Sequence, residues 1–333
     1  MIILAVESSC DETAVSVSRD GRTILSDEVL SQADLHAVYG GVVPEIASRK
    51  HIESVAALAE MAVKKAGISR SEINAVAATY APGLIGAVLV GLSFAKGAAY
   101  ALGVPLIAVH HMRGHIAANY VAFPELEPPF IALVVSGGHS FIADVTGYTE
   151  MRIMGTTRDD AAGECFDKCA RVLGLPYPGG AAMDKLSQGG NDKKYLLPRA
   201  NVAGNRLDMS FSGLKTAVIN LVHNAEQKGE EIDRPGLAAS FAAAVSDELI
   251  SRTMDAAAQA GRDRICVCGG VAANSRVRKD LADACRKNGY TLFAPPLKLC
   301  GDNAAMIACQ AYYEYLAGNT AELDVNGFAN MEI

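Results

Sequence analysis

Tryptophan is absent from this 333-residue chain, and aromatic residues make up only 6% of it. A core poor in large rings has to be filled by Val, Ile, Leu and Ala, which suits an α/β enzyme. Positive charge is also short: 30 Lys and Arg against 37 Asp and Glu leave a formal charge of −7. That balance argues against a protein that grips nucleic acid unaided over a broad surface, since phosphate contacts need Lys and Arg in excess. A local basic strip or a basic partner stays open. None of the eight cysteines forms the two-residue-spaced knuckle of a zinc ribbon, so reduced, mostly buried thiols are expected rather than a disulfide frame. Long apolar runs are lacking too: the stretch from Leu84 to Leu102 is broken by Gly86, Gly91, Ser93, Lys96 and Gly97, so no membrane span is expected. No basic leader precedes the opening apolar run, and the expected location is cytoplasmic.

What the chain does have is a histidine cluster. His110, His111 and His115 directly follow the apolar run Leu106 to Val109. On a helix His111 and His115 stack on one face a turn apart, where two imidazoles can share one metal ion. The plainer alternative is a set of polar loop residues at a strand end. Met112, Arg113 and Gly114 supply no glutamate between the pair, so the general base of a His-Glu-x-x-His protease is missing and peptide hydrolysis is disfavoured. His110 points about 100° around the helix and is expected to support rather than ligate. A third ligand has to come from elsewhere.

Residues 1 to 30 read as three strands, Ile2 to Val6, Ala14 to Val17 and Thr23 to Leu30, with turns between them. In the first turn, Ser8, Ser9 and Thr13 could approach a phosphate while Asp11 or Glu12 holds a cation; the alternative is an ordinary polar hairpin. A helix is predicted from Pro44 to Gly67, with Ile46, Ile52, Val55, Leu58 and Met61 as its apolar face. A strand from Ala75 to Thr79 and a small-residue helix to Leu102 follow, with Gly86, Gly91 and Gly97 implying close packing on a sheet. From Phe130 the plan starts again: Phe130 to Val135, Phe141 to Val145, Met151 to Met154, then Arg264 to Cys268, a helix through Lys287, Thr291 to Phe293 and a helix from Asn303 to Leu316. Two similar α/β halves facing each other across a central cleft are expected, 1–128 and 129–333. Material from about 176 to 235, carrying Lys193, Lys194, Arg199, Arg206 and Lys215, has no counterpart in the first half and reads as an insertion, either a specificity element or a solvated lobe.

Two glycine-rich turns after apolar strands, Ser136-Gly-Gly-His139 and Cys268-Gly-Gly-Val271, suit close backbone approach by a phosphate and an adenosine. Asn274 then belongs to a nucleotide site or simply caps the next helix. Asp302 is placed by periodicity to cap the last helix. It is equally the best-placed carboxylate to complete a His-His-Asp set from the second half, and such a set suits divalent iron or zinc with positions open to substrate.

Lys96-Gly97, Leu102-Gly-Val-Pro105, His111 and Gly114-His115-Ile116 match a known signature, and the matching continues through Val6-Glu-Ser-Ser-Cys-Asp-Glu-Thr13, Pro82-Gly-Leu-Ile-Gly86, Val135-Ser-Gly-Gly-His139, Phe166-Asp-Lys168, Pro178-Gly-Gly180, Phe211-Ser-Gly-Leu-Lys215, Gly269-Gly-Val-Ala-Ala-Asn274 and Gly301-Asp-Asn303. Over nearly its full length the sequence resembles the bacterial TsaD (Gcp, YgjD) family, departing at Ala81, where a glycine is expected. The resemblance implies the duplicated two-lobed ASKHA fold shared with actin, sugar kinases and large heat-shock chaperones. It implies transfer of a threonylcarbamoyl group from threonylcarbamoyl-AMP to N6 of the adenosine 3′ to the anticodon in tRNAs reading ANN codons, with release of AMP. His111, His115 and Asp302 would then hold the metal, iron(II) before zinc(II). Val134, Val135, Ser136, Gly137, Gly138, Asp167, Gly180, Asp184 and Asn274 would hold the adenylate. Asp11 and Glu12 are the candidate general bases. The implied helpers are TsaB, the ATPase TsaE and a TsaC-type synthetase that makes the adenylate. A helix surface from Ile46 to Met61 could pack on the ASKHA partner, unless it is internal core. A sugar or acid kinase would share the fold without needing the histidine pair, and a scaffold would need neither site.

Overall fold

In the computed structural model, which describes residues 1–200 and 202–333, strand β1 (Ile2–Glu7) is buried at every position. An apolar run without polar alternation predicts such a central strand. It pairs antiparallel with β2 (Glu12–Arg19), and β2 pairs antiparallel with β3 (Thr23–Ser31). A short helix α1 (Ala33–Ala37) precedes α2 (Pro44–Ala66), which has its proline in the first turn and ends at Gly67 with φ +68°, the left-handed stop that glycine adopts without a Cβ penalty. Then come β4 (Ala75–Ala81), α3 (Ile85–Leu102), β5 (Leu106–His110) and α4 (His111–Ala122). The sheet order is β3-β2-β1-β4-β5, with the β1–β4 and β4–β5 pairs parallel.

Strand alternation sorts the core into two layers. Ile2, Leu4 and Val6 pack with Val55, Leu58 and Leu92 of α2 and α3, whereas Ile3 and Ala5 pack with Ile107 and Val109 on the opposite face. The α2 face predicted from its large apolar residues is corrected by the structure: Ile52 is 65% exposed and Met61 44%. The buried stripe is Ala47, His51, Ser54, Val55, Leu58, Ala59 and Ala62, because small residues let the helix lie close to β2 and β3. In α3, Cβ atoms at Gly86 and Gly91 would run into Ser48 and Ser8, while at Gly97 a Cβ would meet nothing. Close packing thus explains two of the three glycines. By length and composition α3 is the one helix among the described residues able to cross a membrane; here Ala87, Val88, Gly91, Leu92, Ala95 and Ala99 form a buried face.

The second unit repeats the plan with β6 (Phe130–Val135), β7 (Ser140–Val145) and β8 (Met151–Thr156), then α5 (Ala162–Val172), α6 (Gly179–Ser187), α7 (Ser212–Lys228) and α8 (Arg234–Ala260), and finally β9 (Arg264–Cys268), α9 (Ser275–Asn288) and β10 (Thr291–Phe293). Its order, β10-β9-β6-β7-β8, matches the first sheet strand for strand, with the same two antiparallel and two parallel pairings. The expected insertion therefore contributes α6 and α7, and α8 packs against β6 and β7.

The boundary of the second half is also corrected. Its compact unit is Pro128–Ala294, and residues Pro295–Ile333 belong with Met1–Glu127. The reason is the open face of the first sheet: α10 (Ala304–Leu316) lays Met306, Ile307, Ala308 and Ala311 on Ile3, Ala5, Ile107 and Val109. Without that cover these side chains would face water, and cutting back a single one such as Ile307 to Ala costs about 3 kcal/mol.

Candidate active site

The site in the first unit is built where β5 ends. His110 closes β5 and caps α4, its Nδ1 accepting the Met112 N–H at 3.2 Å; it supports the helix, as expected. His111 is then the first helical residue and His115 lies one turn on. Their rings meet edge to face, centroids 4.6 Å apart. Gly114 sits between them against α10, where a Cβ would lie 2.7 Å from Ile307 Cδ1, so glycine lets the two helices approach without displacing the Ile307 side chain. At its far end α4 is held by Arg22, which donates to the carbonyls of Pro124 at 2.7 Å and Leu126 at 3.0 Å and to Tyr313 Oη at 2.5 Å.

Asp302 lies just before α10, and its Oδ1 is 3.3 Å from Nε2 of both His111 and His115. The cap of α10 is not Asp302, as periodicity suggested, but Asn303, which accepts the Met306 N–H at 2.9 Å. That one-residue shift frees the Asp302 carboxylate for the imidazoles. Asp302 also comes from the first unit rather than the second. One nitrogen from each histidine and a carboxylate oxygen lie within 4.8 Å of one another. The buried ring of His115 makes no well-aligned hydrogen bond, its Nε2 having only the Asp302 contact and its Nδ1 none. A buried imidazole left unpaired is costly, and a divalent cation ligated at Nε2 removes much of that cost, so the donor set fits a metal.

Behind His111 stands Glu7, fully buried, which sequence reasoning passed over. Its Oε2 is 2.9 Å from His111 Nδ1 and accepts from Thr79 Oγ1 at 2.5 Å; Oε1 accepts the Ser9 N–H. Burial alone would push the Glu7 carboxyl up, but the His111 charge and hydrogen bond bring it below the ordinary carboxylate value. Burial likewise opposes a charge on His111, yet Glu7 and Asp302 outweigh it and raise the imidazole well above its usual value. Asp302 is held low by the histidines despite its own burial. The site therefore favours positive charge, and the carboxylate at Nδ1 leaves Nε2 as the ligating nitrogen. The signal available in the sequence was an acid ending an otherwise apolar strand.

Asp11 ends the β1–β2 turn of this same unit, and Glu12 opens β2. Burial, followed by the charges of Asp302 and Asp11, pushes the Glu12 carboxyl up to about 9, and Ser31 Oγ donates to its Oε1 at 3.0 Å. The two candidate bases and the candidate metal ligands thus form one electrostatic group.

In the second unit Val134 and Val135 are buried in β6 and present the turn that follows. Within it Ser136 Oγ accepts the His139 N–H, and Cβ atoms at Gly137 and Gly138 would meet nothing. Asp167 Oδ1 accepts the Gly180 N–H at 3.0 Å, which joins two of the expected adenylate residues. Asp184 accepts from Ser275 N at 3.2 Å and Ser275 Oγ at 2.7 Å, next to Asn274. Asn274 does cap α9, accepting the Val277 N–H at 3.1 Å. Two glycines shape this turn: at Gly163, which the sequence reading missed, a Cβ would lie 2.5 Å from the Ser136 carbonyl oxygen, and at Gly269, φ +90°, it would collide with that of Val135. All eight cysteines are free, and seven are buried.

Known proteins place this architecture. The profile of the family described as TsaD, tRNA N6-adenosine threonylcarbamoyltransferase, matches residues 23–309. A protein of that name from Clostridium botulinum is 50% identical over 331 residues, spanning 99% of this chain and 97% of its own length. One from Moorella thermoacetica is 51% identical over 331 residues, with the same two spans. Among solved structures, HypF from T. kodakarensis superposes with a TM-score of 0.67 at 15% identity, covering 96% of this chain and 48% of that one. The activator of 2-hydroxyisocaproyl-CoA dehydratase from Clostridium difficile gives 0.53 at 13%, covering 96% and 97%. These two likenesses show the ASKHA fold alone.

Proposed function

Since this chain belongs to the TsaD family of tRNA N6-adenosine threonylcarbamoyltransferases, we propose that it moves the threonylcarbamoyl group from threonylcarbamoyl-AMP to N6 of the adenosine 3′ to the anticodon in tRNAs reading ANN codons. The observation that carries this reading is the His111, His115 and Asp302 triad with Glu7 behind it. These three residues would hold iron(II), with zinc(II) as the alternative. When bound, the ion supplies Lewis acidity toward a carbonyl oxygen and a fixed point for orienting the acyl group.

The protein's own groups account for the rest. The exocyclic amine of adenine is a weak nucleophile, so alignment has to supply much of the acceleration, up to about 7–11 kcal/mol for a well-oriented pair. As N6 bonds to the carbamoyl carbon, the bond from that carbon to the phosphate oxygen breaks and AMP leaves. The amine's proton must go to a base. Asp11 and Glu12 are the candidates for that base: they lie beside the proposed metal ligands, and the Asp302 charge that helps raise the Glu12 carboxyl to about 9 is one that a bound cation would neutralise. In the second unit, Val134, Val135, Ser136, Gly137 and Gly138 would lie along the phosphate, whose approach the open backbone at Gly137 and Gly138 favours. Asp167, Gly180, Asp184 and Asn274 would hold the nucleoside.

The charge distribution supports a need for helpers. The first unit carries 10 Lys and Arg against 18 Asp and Glu, the second 20 against 19. An acidic unit bearing the metal ligands gains little from tRNA phosphates, which fits assistance from TsaB and TsaE, with a TsaC-type synthetase supplying the adenylate in the cytoplasm. The test is mass spectrometry of an ANN-decoding tRNA incubated with this chain, those partners, threonine, bicarbonate and ATP. A mass gain of one threonylcarbamoyl group is expected. Unmodified tRNA in the presence of demonstrated adenylate would overturn the reading.

A further inference from the structure

The turn carrying Asp11 and Glu12 is pinned through three successive carbonyls. Ser9 O accepts from Leu84 N at 2.8 Å and Asp11 O from Gln32 N at 2.9 Å, both backbone bonds. The Cys10 carbonyl between them is held by a side chain, His51 Nε2, at 2.9 Å. A carbonyl can only accept, so His51 carries its proton on Nε2 and its Nδ1 must accept. Thr13 Oγ1 lies 2.7 Å from that Nδ1, and Gln32 Nε2 lies 3.5 Å from it. Ser54 Oγ donates to the Lys50 carbonyl at 2.8 Å and so gives Thr13 no proton; the Thr13 hydroxyl proton goes to His51 Nδ1, the nearer of its two acceptors, at 2.7 Å against 3.1 Å for Ser54 Oγ.

The same logic extends one residue further out. Val43 N–H donates to His36 Nδ1 at 3.3 Å, which makes that nitrogen the acceptor and Nε2 the donor. His36 Nε2 lies 3.3 Å from Gln32 Oε1. Along this line the donors run one way, Val43 N–H to His36, His36 to Gln32 and His51 to Cys10, with Gln32 Nε2 a second and longer donor beside Thr13 at His51 Nδ1 and equally 3.5 Å from the Ala47 carbonyl. Both rings are fully buried and Gln32 nearly so. Burial lowers the His51 imidazole, against the pull of the Cys10 carbonyl and of the Glu7 and Asp11 charges, so the ring is neutral near pH 7. A neutral ring with one donor and one acceptor satisfied has a single tautomer. At its outer end the chain meets a segment with Val38 84% exposed and Tyr39 59% exposed.

We propose that His51 is a positioning residue for the transfer reaction: with Gln32 and His36 it ties the Cys10–Glu12 turn, and with it the Asp11 and Glu12 carboxylates, to the placement of residues 38–43. This rests on the reading that those carboxylates act in the transfer. A leucine at position 51 removes the donor to Cys10 and the acceptor for Thr13, whereas a glutamine keeps one of each. A leucine at position 36 cuts the chain at a distance from the turn.

Three measurements on the full chain test this, the kinetic one with its partner proteins present. Long-range nitrogen–proton NMR of the histidines should show His36 and His51 neutral with the proton on Nε2, and His36→Leu should shift the His51 nitrogen signals. Amide exchange of residues 8–13 should speed up in His51→Leu and His36→Leu but stay near wild type in His51→Gln, with residues 111–122 unchanged in all three. In the transfer assay His51→Leu should lower kcat by about 10²-fold with KM for the adenylate little changed, and His51→Gln should restore most of it. Zinc affinity, read by competition titration, should be unchanged. A protonated or Nδ1–H His51, or wild-type kcat in a folded His51→Leu chain, overturns the proposal. If His51→Leu does not fold, the same reading falls to His36→Leu, where wild-type exchange at residues 8–13 counts against it. Should the wild-type chain show no transfer, the functional reading fails, while the NMR and exchange results still decide whether the relay exists.

Discussion

Between β1 and β2 the first unit places Ser8, Ser9, Cys10 and Asp11; between β6 and β7 the second places Ser136, Gly137, Gly138 and His139. The two turns occupy the same position in sheets of the same order and pairing. One is packed with side chains, pinned at three carbonyls and flanked by carboxylates that create a demand for positive charge. The other is also held at its carbonyls, Ser136 O by Gly163 N and Gly137 O by Glu164 N, but it carries no side chain at Gly137 and Gly138 and has open space at both. The topology fixes where a turn can meet a ligand, and the residues in it decide whether that ligand is met by charge or by exposed N–H groups. The net charges differ in the same sense, 10 Lys and Arg against 18 Asp and Glu in the first unit and 20 against 19 in the second.

The largest effect should come from emptying the charged side of this comparison. His115→Ala removes one of the three proposed ligands and should bring bound metal to background and lower transfer by at least about 10³-fold, with the fold retained by circular dichroism. Elemental analysis alongside AMP release checks this, and full metal occupancy in the variant would remove His115 from the ligand set. Glu7→Gln keeps the shape but takes away the anion at His111 Nδ1. It should weaken metal binding by about 10–100-fold, measured by zinc competition, and an unchanged affinity would make Glu7 a packing residue only.

On the second unit the same comparison predicts that space matters more than charge. Gly269→Ala sets a Cβ at φ +90° against the Val135 carbonyl and should cost about 2 kcal/mol of stability by urea unfolding. Gly137→Ala meets no neighbour; it should change stability by less than about 0.5 kcal/mol yet weaken AMP binding about tenfold by calorimetry. Equal destabilisation by the two substitutions would show that the turn is not open.

Most of the sheet and helix plan was legible because apolar runs and turn residues mark strands directly: β9, β10 and α10 fall within a residue of expectation. The His111 and His115 pair was legible for the same reason, a spacing of four on a helix. What could not be read lies in contacts made across long separations. Asn303 rather than Asp302 caps α10, and neighbouring residues of equal capping propensity cannot be told apart by periodicity. The buried stripe of α2 keeps Val55 and Leu58 of the predicted face, but the rest of it is Ala, Ser and His, which carry little hydrophobic signal. Residues 295–333 return to the first unit to cover Ile3 and Ala5, a pairing that the duplicated sequence pattern argued against. Glu7 and Gly163 act through partners about a hundred and about thirty residues away, so neither forms a local motif.

The smallest effect concerns how each unit starts a helix. α9 is capped by the neutral Asn274, while at α10 the carboxylate of Asp27 also accepts the Ala305 N–H at 3.2 Å. Burial pushes the Asp27 carboxyl up to about 6 against the pull of those backbone N–H groups. A folded value above the unfolded one means that the folded chain holds the proton more tightly. The associated stability is complete below about pH 4 and is lost as pH rises through about 6. Asp27→Asn cannot lose a proton, so relative to wild type it should gain on the order of 1 kcal/mol between pH 4.5 and 7, the figure reduced for partial exposure. Urea unfolding of both chains at the two pH values reads the difference directly, and the other carboxylates cancel in it. A difference that stays constant with pH would mean that Asp27 is ionised throughout and that the two helix starts do not differ in their response to protons.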